Sequence, residues 1–207
     1  MNQQLEEGLA GLGLSASTTT RQQWLAYLAL LSRWNRVHNL TAIREEDKML
    51  THHLLDSLAV GPYLSATRLL DVGSGGGLPG IPLAISRPDL SVTLVDSNQK
   101  KASFLRQAVS ELGLGNIKVV ADRVEQLQDD AGYDAIISRA FAETSLFLRL
   151  TRPLLASGGR WYVMKGVYPD AELQNLPEWA VLQASHQLRV PGLDAQRHLL
   201  IVGDGET

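Results

Sequence analysis

The residues most able to do chemistry fall in "LLDVGSGGGLPGIPLAI", residues 69–85, where Asp71 and glycines 73, 75, 76, 77 and 80 interrupt an apolar run. A strand that ends in glycines and restarts as a helix lets a ligand approach bare backbone at the carboxyl edge of an open α/β sheet. Free N–H groups at the start of that helix favour a negative group beside them. Pro79 suits a first helical turn, so the helix is expected to begin near Leu78. Asp96 closes the next apolar run, "SVTLVD", where a carboxylate can accept hydrogen bonds from both hydroxyls of a ribose. Together these residues point to a nucleotide-type pocket.

Two cofactors remain open on this pattern. Gly75, Gly77 and Gly80 fit the G-x-G-x-x-G of a dinucleotide site, a weak signal by itself. Asp71, Gly73, Gly75 and Gly77 instead resemble motif I of class I S-adenosyl-L-methionine-dependent methyltransferases, in which the loop passes the methionine part of the cofactor. Asp71, and the long stretch ahead of the first strand, favour the second reading; an NAD(P)-dependent oxidoreductase is the alternative. Asp122 to Glu125, after the third strand, are expected beside the adenine, and a solvated acidic loop is the plainer reading of Glu125.

Arg123, Arg139 and Lys165 follow the third, fourth and fifth apolar runs, so a parallel sheet would bring all three cations to the ligand edge. They suit a phosphate-bearing or nucleobase substrate. Lys100, Lys101 and Arg106 would extend that patch or form a solvated helix face. After the fourth run stands "SRAFAE", not the Asn/Asp-Pro-Pro-aromatic clamp common in methylation of exocyclic amines. The chain has no cysteine, which removes the nucleophile that pyrimidine carbon-5 methylation needs. A ring nitrogen such as guanine N7 carries its own lone pair and needs no general base, only alignment and exclusion of water. Phe141 is placed either to stack on a base or to fill the core. His53, Asp56 and Ser57 have the residue types of a hydrolytic triad, but one helical turn is a poor frame for one. A polar cluster docking the helix beside the pocket, with His53 touching substrate in one version, is the reading preferred here.

The elements that must position these groups are legible in outline. "TTTRQQWLAYLALLSRWNR" carries Trp24, Leu25, Leu28, Leu31 and Trp34 on one helical face, behind threonines able to cap it. A second helix is expected over "EEDKMLTHHLLDSLAV", and a short one before both. From residue 68 the chain alternates short apolar runs with helical stretches such as "NQKKASFLRQAVSELGL", the pattern of a parallel sheet covered on both faces. The runs are "RLLDVG", "SVTLVD", "IKVVAD", "YDAIISRA" and "GRWYVMKG"; "LQASHQLRV" and "RHLLIVG" read as a closing antiparallel hairpin. A helical extension over residues 1–65 and a cofactor domain over 66–207 are expected, packed as one unit. The net charge of −3 means that a polyanion must meet a local patch, not a global field. No signal peptide, membrane span or metal-ligand spacing is visible, so a soluble, cytoplasmic protein without a metal is expected.

"WNRVHNLTAIREEDKMLTHHLLDSL", the extended glycine motif, "IISRAF" and "LDAQRHLLIV" together resemble the glucose-inhibited division protein B family, bacterial small-subunit ribosomal RNA guanine-N7 methyltransferases. The likeness runs from about Trp34 to Val202. It implies a class I, Rossmann-like fold with a mostly parallel seven-stranded sheet. It also implies S-adenosyl-L-methionine as cofactor and methylation of one guanine, nucleotide 527, in the 530 loop of 16S ribosomal RNA. The 30S subunit is the implied partner and a monomer is expected; a cofactor-binding ribosomal scaffold without catalysis is the alternative. The cofactor set is then Asp71, Gly73, Gly75, Leu78, Asp96, Val124, Glu125 and Arg139. Arg139, Arg123 and Lys165 form the catalytic set, and His53, Lys100, Arg123, Lys165 and Arg197 the substrate set.

Overall fold

The computed structural model describes residues 1–139 and 141–206. Ala140, last residue of the expected strand "YDAIISRA", and Thr207, the end of the expected second unit, lie outside the described residues. Among the described residues seven strands form one sheet: β1 (Arg68–Val72), β2 (Ser91–Val95), β3 (Ile117–Val120), β4 (Tyr133–Ser138), β5 (Leu155–Lys165), β6 (Ala180–Gln187) and β7 (His198–Asp204). Their order is β3-β2-β1-β4-β5-β7-β6. The first five are parallel, and β7 runs antiparallel between β5 and β6. The carboxyl ends of β1 to β5 therefore share one edge, and the chain reverses its direction of winding between β1 and β4. In open α/β sheets, ligands bind at that reversal.

Helices α1 (Asn2–Gly11) and α2 (Thr18–His38) precede the sheet. The cap of α2 is Ser17, one residue before the threonines, and its side chain accepts from Thr20 N at 3.0 Å. The second expected helix is three pieces in line: α3 (Glu46–Met49), a π-helical stretch (Leu50–Leu55) and α4 (Asp56–Leu58). After β1 comes α5 (Gly80–Ser86) and after β2 comes α6 (Gln99–Glu111), started by Asn98, which accepts from Lys100 N and Lys101 N. Helices α7 (Thr144–Thr151) and α8 (Asp170–Leu173) flank β5. Among the described residues no helix is long and apolar enough to cross a membrane.

Two apolar clusters cover the two faces of the sheet. One joins Trp24, Tyr27, Leu28 and Leu31 of α2 to Leu54, Ile81, Phe104 and Leu69. The other gathers Phe147 and Leu148 of α7 with Trp161 and Leu70. The alternation of β1, with Leu69 on one side and Leu70 on the other, feeds both clusters, as a strand with two covered faces requires. Trp161 is fully buried, and its indole N–H reaches Thr151 Oγ1 at 2.8 Å.

Helix α5 begins at Gly80, two residues later than Pro79 suggested, because Leu78 and Pro79 still belong to the loop. The reason is Asp71. Its carboxylate, 0% exposed at the end of β1, accepts the Gly80 N–H at 2.8 Å and so fixes the first helical residue. A Cβ at Gly80 would overlap Leu94 Cδ2 and stand 2.7 Å from Asp71 Oδ2. Gly80→Ala is therefore expected to lower stability by about 1–3 kcal/mol, measured as a shifted urea midpoint with unchanged slope.

Candidate functional site

Two cavities open on the carboxyl edge of the sheet, one on each side of the β1–β4 boundary. The first, about 230 Å³, is lined by Val72, Gly73, Val95, Asp96, Ser97, Asp122, Arg123, Val124, Glu125, Phe141 and Leu150. The second, about 330 Å³, takes in His52, His53, Asp56, Arg139, Lys165, Arg197 and His198 with the apolar Ile43, Met164 and Leu188.

The glycine loop shapes the first cavity. Gly73 N donates to Val95 O at 2.9 Å, and Ser74 N to the same oxygen at 3.2 Å, tying the loop to the end of β2. Gly73 has φ +68° and a Cβ there would meet nothing within 4 Å, so its bare face lies open to a ligand. Gly76 is different: a Cβ would lie 3.1 Å from Leu31 Cδ1 of α2. The loop thus presents one side to the cavity and packs the other against the N-terminal helices. Tyr27 donates its hydroxyl to Gly76 O at 2.5 Å, and Trp24 its indole N–H to Pro82 O at 3.1 Å. Burial pushes the Tyr27 hydroxyl above its ordinary pKa, which keeps it a donor.

Asp96 stands at the floor of this cavity. Its Oδ2 accepts from Gly75 N and its Oδ1 from Asn98 N, each at 2.8 Å. Each oxygen keeps one lone pair, which matches two vicinal hydroxyls. Val124 is buried and Glu125 exposed on the rim, with Arg123 exposed beside them. Phe141 lies 5.4 Å from Phe147, ring centre to ring centre, so it both joins the core and walls the cavity. Asp71 is not a lining residue of either cavity; its carboxylate holds the loop from beneath, and Leu78 is buried in the core behind it. Gly75 acts through its N–H on Asp96.

The second cavity is organised by Asp56, a member of the polar cluster expected to dock its helix beside the pocket. Asp56 Oδ1 accepts from Arg197 Nε at 2.9 Å, and Oδ2 meets Arg139 Nη1 at 3.5 Å. Arg139 also donates to His52 O at 3.2 Å. Burial raises the Asp56 carboxyl above its ordinary range, while the two guanidiniums pull the other way. Ser57 donates to His53 O at 2.6 Å within its own helix, so no serine–histidine–acid relay exists here. His53 is 3% exposed and pairs Nε2 with Thr41 Oγ1 at 2.9 Å, while Nδ1 has no partner. Burial, with Arg139 nearby, lowers its pKa to about 4, leaving a neutral ring. Asn35 fixes the loop that supplies Thr41 and Ile43, donating to Ile43 O at 2.9 Å and accepting Thr41 N at 2.8 Å.

Lys165 is not free for a phosphate. Glu172 accepts its Nζ at 2.9 and 2.8 Å, and Phe141 O takes a third bond at 3.3 Å. The same carboxylate accepts Thr144 N at 2.7 Å and Thr144 Oγ1 at 2.6 Å at the start of α7. Burial pushes Glu172 up, but the bonds from Lys165 and Thr144 outweigh it and hold the acid below its usual value. The three cations expected at one place are therefore divided: Arg123 edges the first cavity, and Arg139 and Lys165 line the second with Arg197. Lys100 is exposed on α6 and lines neither. Glu172 is the site residue that sequence reasoning passed over, whereas Asp56 was named in the polar cluster expected to dock its helix beside the pocket. The Asp56 signal was its place in "HHLLDS"; Glu172 stands in a stretch without a usable motif.

The family model described as GidB, rRNA small subunit methyltransferase G, matches residues 20–200. The ribosomal RNA small subunit methyltransferase G of Laribacter hongkongensis is 54% identical over 203 residues, covering 98% of this chain and 98% of that protein. That of Methylobacillus flagellatus is 55% identical over 203 residues, again covering 98% of each. Among solved structures, M. jannaschii TYW2 in complex with AdoMet superposes with a TM-score of 0.56 at 16% identity, over 71% of this chain and 72% of that one. At that identity the likeness is one of fold.

Two outcomes follow from the carboxylates. Burial raises Asp71 to about 7, so the folded state binds its proton more tightly than the unfolded chain and stability falls as pH rises from about 4 to 7. His53 works in the opposite sense, adding stability between about pH 4 and 6.5. Asp71→Asn removes the Asp71 loss, so the variant should gain on the wild type as pH increases across this window, read from urea midpoints at each pH. Glu172→Ala should cost about 1–3 kcal/mol in the same measurement, because Lys165 and the start of α7 lose their acceptor together.

Proposed function

The chain belongs to the ribosomal RNA small subunit methyltransferase G family, and we propose that it methylates N7 of one guanine, nucleotide 527, in the 530 loop of 16S ribosomal RNA. The family decides between the two cofactors that the glycine loop left open, in favour of S-adenosyl-L-methionine, which supplies an electrophilic methyl group when bound. The observation that carries the reading is the pair of cavities at the carboxyl edge of the sheet, one suited to a nucleoside and one to its acceptor.

The first cavity fits the cofactor. Gly73 leaves backbone bare where a side chain would stand, and Asp96 keeps two acceptor positions for ribose hydroxyls. Val95, Val124, Phe141 and Leu150 offer apolar contact to a flat heterocycle, with Glu125 at the rim. Arg139, which follows β4 and lines the second cavity, suits a carboxylate or the acceptor base. Guanine N7 has no proton to lose, so the work of the protein is to align that lone pair and keep water out. The buried, neutral His53 and the paired Lys165 fit such a role as walls and not as bases. Arg123, exposed beside the cofactor cavity, is a cation that RNA phosphates can reach at the rim, and Lys100 extends it on α6. A target held in folded RNA must be splayed out of its stack to enter.

The test supplies the purified protein with methyl-labelled cofactor and 30S subunits from a strain lacking this gene. Label at N7 of a guanine in the 530 loop supports the reading, and label at another position or none removes it. Asp96→Asn should weaken cofactor binding by roughly 10-fold or more in calorimetry, since one charge-assisted ribose bond is lost. Unchanged affinity would take Asp96 out of the cofactor site.

A further inference from the structure

The second cavity combines features that a phosphate site would not. Its floor holds a carboxylate, Asp56, whose side chain is 2% exposed. The cations around it are already engaged: Arg197 and Arg139 with Asp56, Lys165 with Glu172. A phosphate entering here would meet a buried anion and find its counter-charges shared. A ligand rich in N–H donors would meet an acceptor held in place by two guanidiniums. The remaining walls include Ile43, Met164 and Leu188, which suit the faces of a flat ring. The volume of about 330 Å³ is in the range of small-molecule sites.

We propose that this cavity receives the acceptor guanine and that Asp56 is the residue that reads it, by accepting N1–H and the N2 amino group. The inference rests on the guanine-N7 reading above and names how that base is told from others. On their Watson–Crick edges, adenine and cytosine each place one amino donor beside a ring acceptor. Uracil places one N–H between two carbonyls. Guanine alone presents two adjacent donors, the pattern that a carboxylate matches with both oxygens. Asp56 has acceptor capacity for it. Oδ1 takes a single bond from Arg197, and Oδ2 has only the long 3.5 Å contact with Arg139, at the limit of a hydrogen bond. Holding that edge leaves N7, across the purine ring, without a partner and free to face the cofactor. Arg139 and Arg197 then have a double role: they oppose the burial that raises the Asp56 pKa, and they fix the orientation of the carboxylate before the base arrives. A neutral or protonated acid would lose half of the match, because one oxygen would become a donor.

The experiment compares two otherwise identical small-subunit RNAs assembled into 30S particles, with guanosine or inosine at the target position. Inosine keeps N7, O6 and N1–H but lacks the N2 amino group. The wild type is expected to prefer guanosine by about 10- to 100-fold in kcat/KM, the range for losing one charge-assisted hydrogen bond at a buried site. In Asp56→Asn that preference should fall to within about 3-fold. The ratio is internal to each protein, so a general loss of activity cancels from it. Equal methylation of both RNAs by the wild type overturns the inference while leaving the N7 reading intact. Methylation of neither overturns the N7 reading and the inference with it. A wild-type preference that survives unchanged in Asp56→Asn removes Asp56 as the reader. Should the variant fail to fold, the wild-type ratio alone decides against the proposal when it lies near one.

Discussion

The hydrogen bond from Gly80 N to the buried carboxylate of Asp71 sets the geometry on which the rest of the site depends. It spans the whole glycine loop, joining the end of β1 to the first residue of the following helix. With both ends fixed, the residues between them have few choices. Gly73 and Ser74 bond to Val95 O at the end of β2, Gly75 bonds to Asp96, and Gly76 is pressed against Leu31. A buried carboxylate with one oxygen lacking a partner is a costly device. Its retention here is understandable because the same group fixes where α5 begins and therefore where the bare backbone of Gly73 faces.

From that fixed loop the two cavities follow by topology. Strand β1 lies between β2 and β4; the loop that leaves it is tied to the end of β2, and residues after β4 reach both cavities, Phe141 the first and Arg139 the second. The side of β2 and β3 carries Asp96, Val124 and Glu125. The side of β4, β5 and β7 carries Arg139, Lys165 and Arg197. A phenylalanine and an arginine of one short segment, Phe141 and Arg139, wall the two cavities separately. That segment is held by Lys165, whose amine is held in turn by Glu172. The cations of the second cavity are thus paired within the protein, unlike an open basic patch, whose contribution would be largely screened by salt.

Much of this was legible in the residues, and the reasons for the failures are physical. The strands could be read because continuous apolar runs bounded by glycine and aspartate have few other uses, and the glycine loop because it follows one of them directly. Strand β5 begins four residues earlier than "GRWYVMKG", at Leu155, because an irregularity against β4 between Tyr133 and Ala135 admits the extra residues. The start of α5 was misplaced because proline reports only that it tolerates a first turn, whereas the Asp71 carboxylate chooses the residue. Long-range pairs left no local trace. Arg197 and Asp56 are 141 positions apart, and nothing about either residue names the other. Glu172 is equally silent: it sits on a four-residue helix of ordinary composition, and only the tertiary fold sets it against Lys165 and Thr144.

The N-terminal helices also acquire a reason. Trp24 and Tyr27 are almost wholly buried, yet each spends its polar atom on a backbone carbonyl of the glycine loop or of α5. These bonds brace the back of the loop whose front faces the first cavity. The same helix ends at Asn39, in a left-handed conformation, and Asn35 then folds the following segment so that Thr41 meets His53 and Ile43 walls the second cavity. The π-helical stretch that follows delivers His53, and α4 begins with Asp56. One helix therefore supports the first cavity from behind and begins the wall of the second. A Rossmann-like sheet supplies only the edge; the extension ahead of it supplies the buried acid and the neutral histidine that turn the far side of that edge into a pocket.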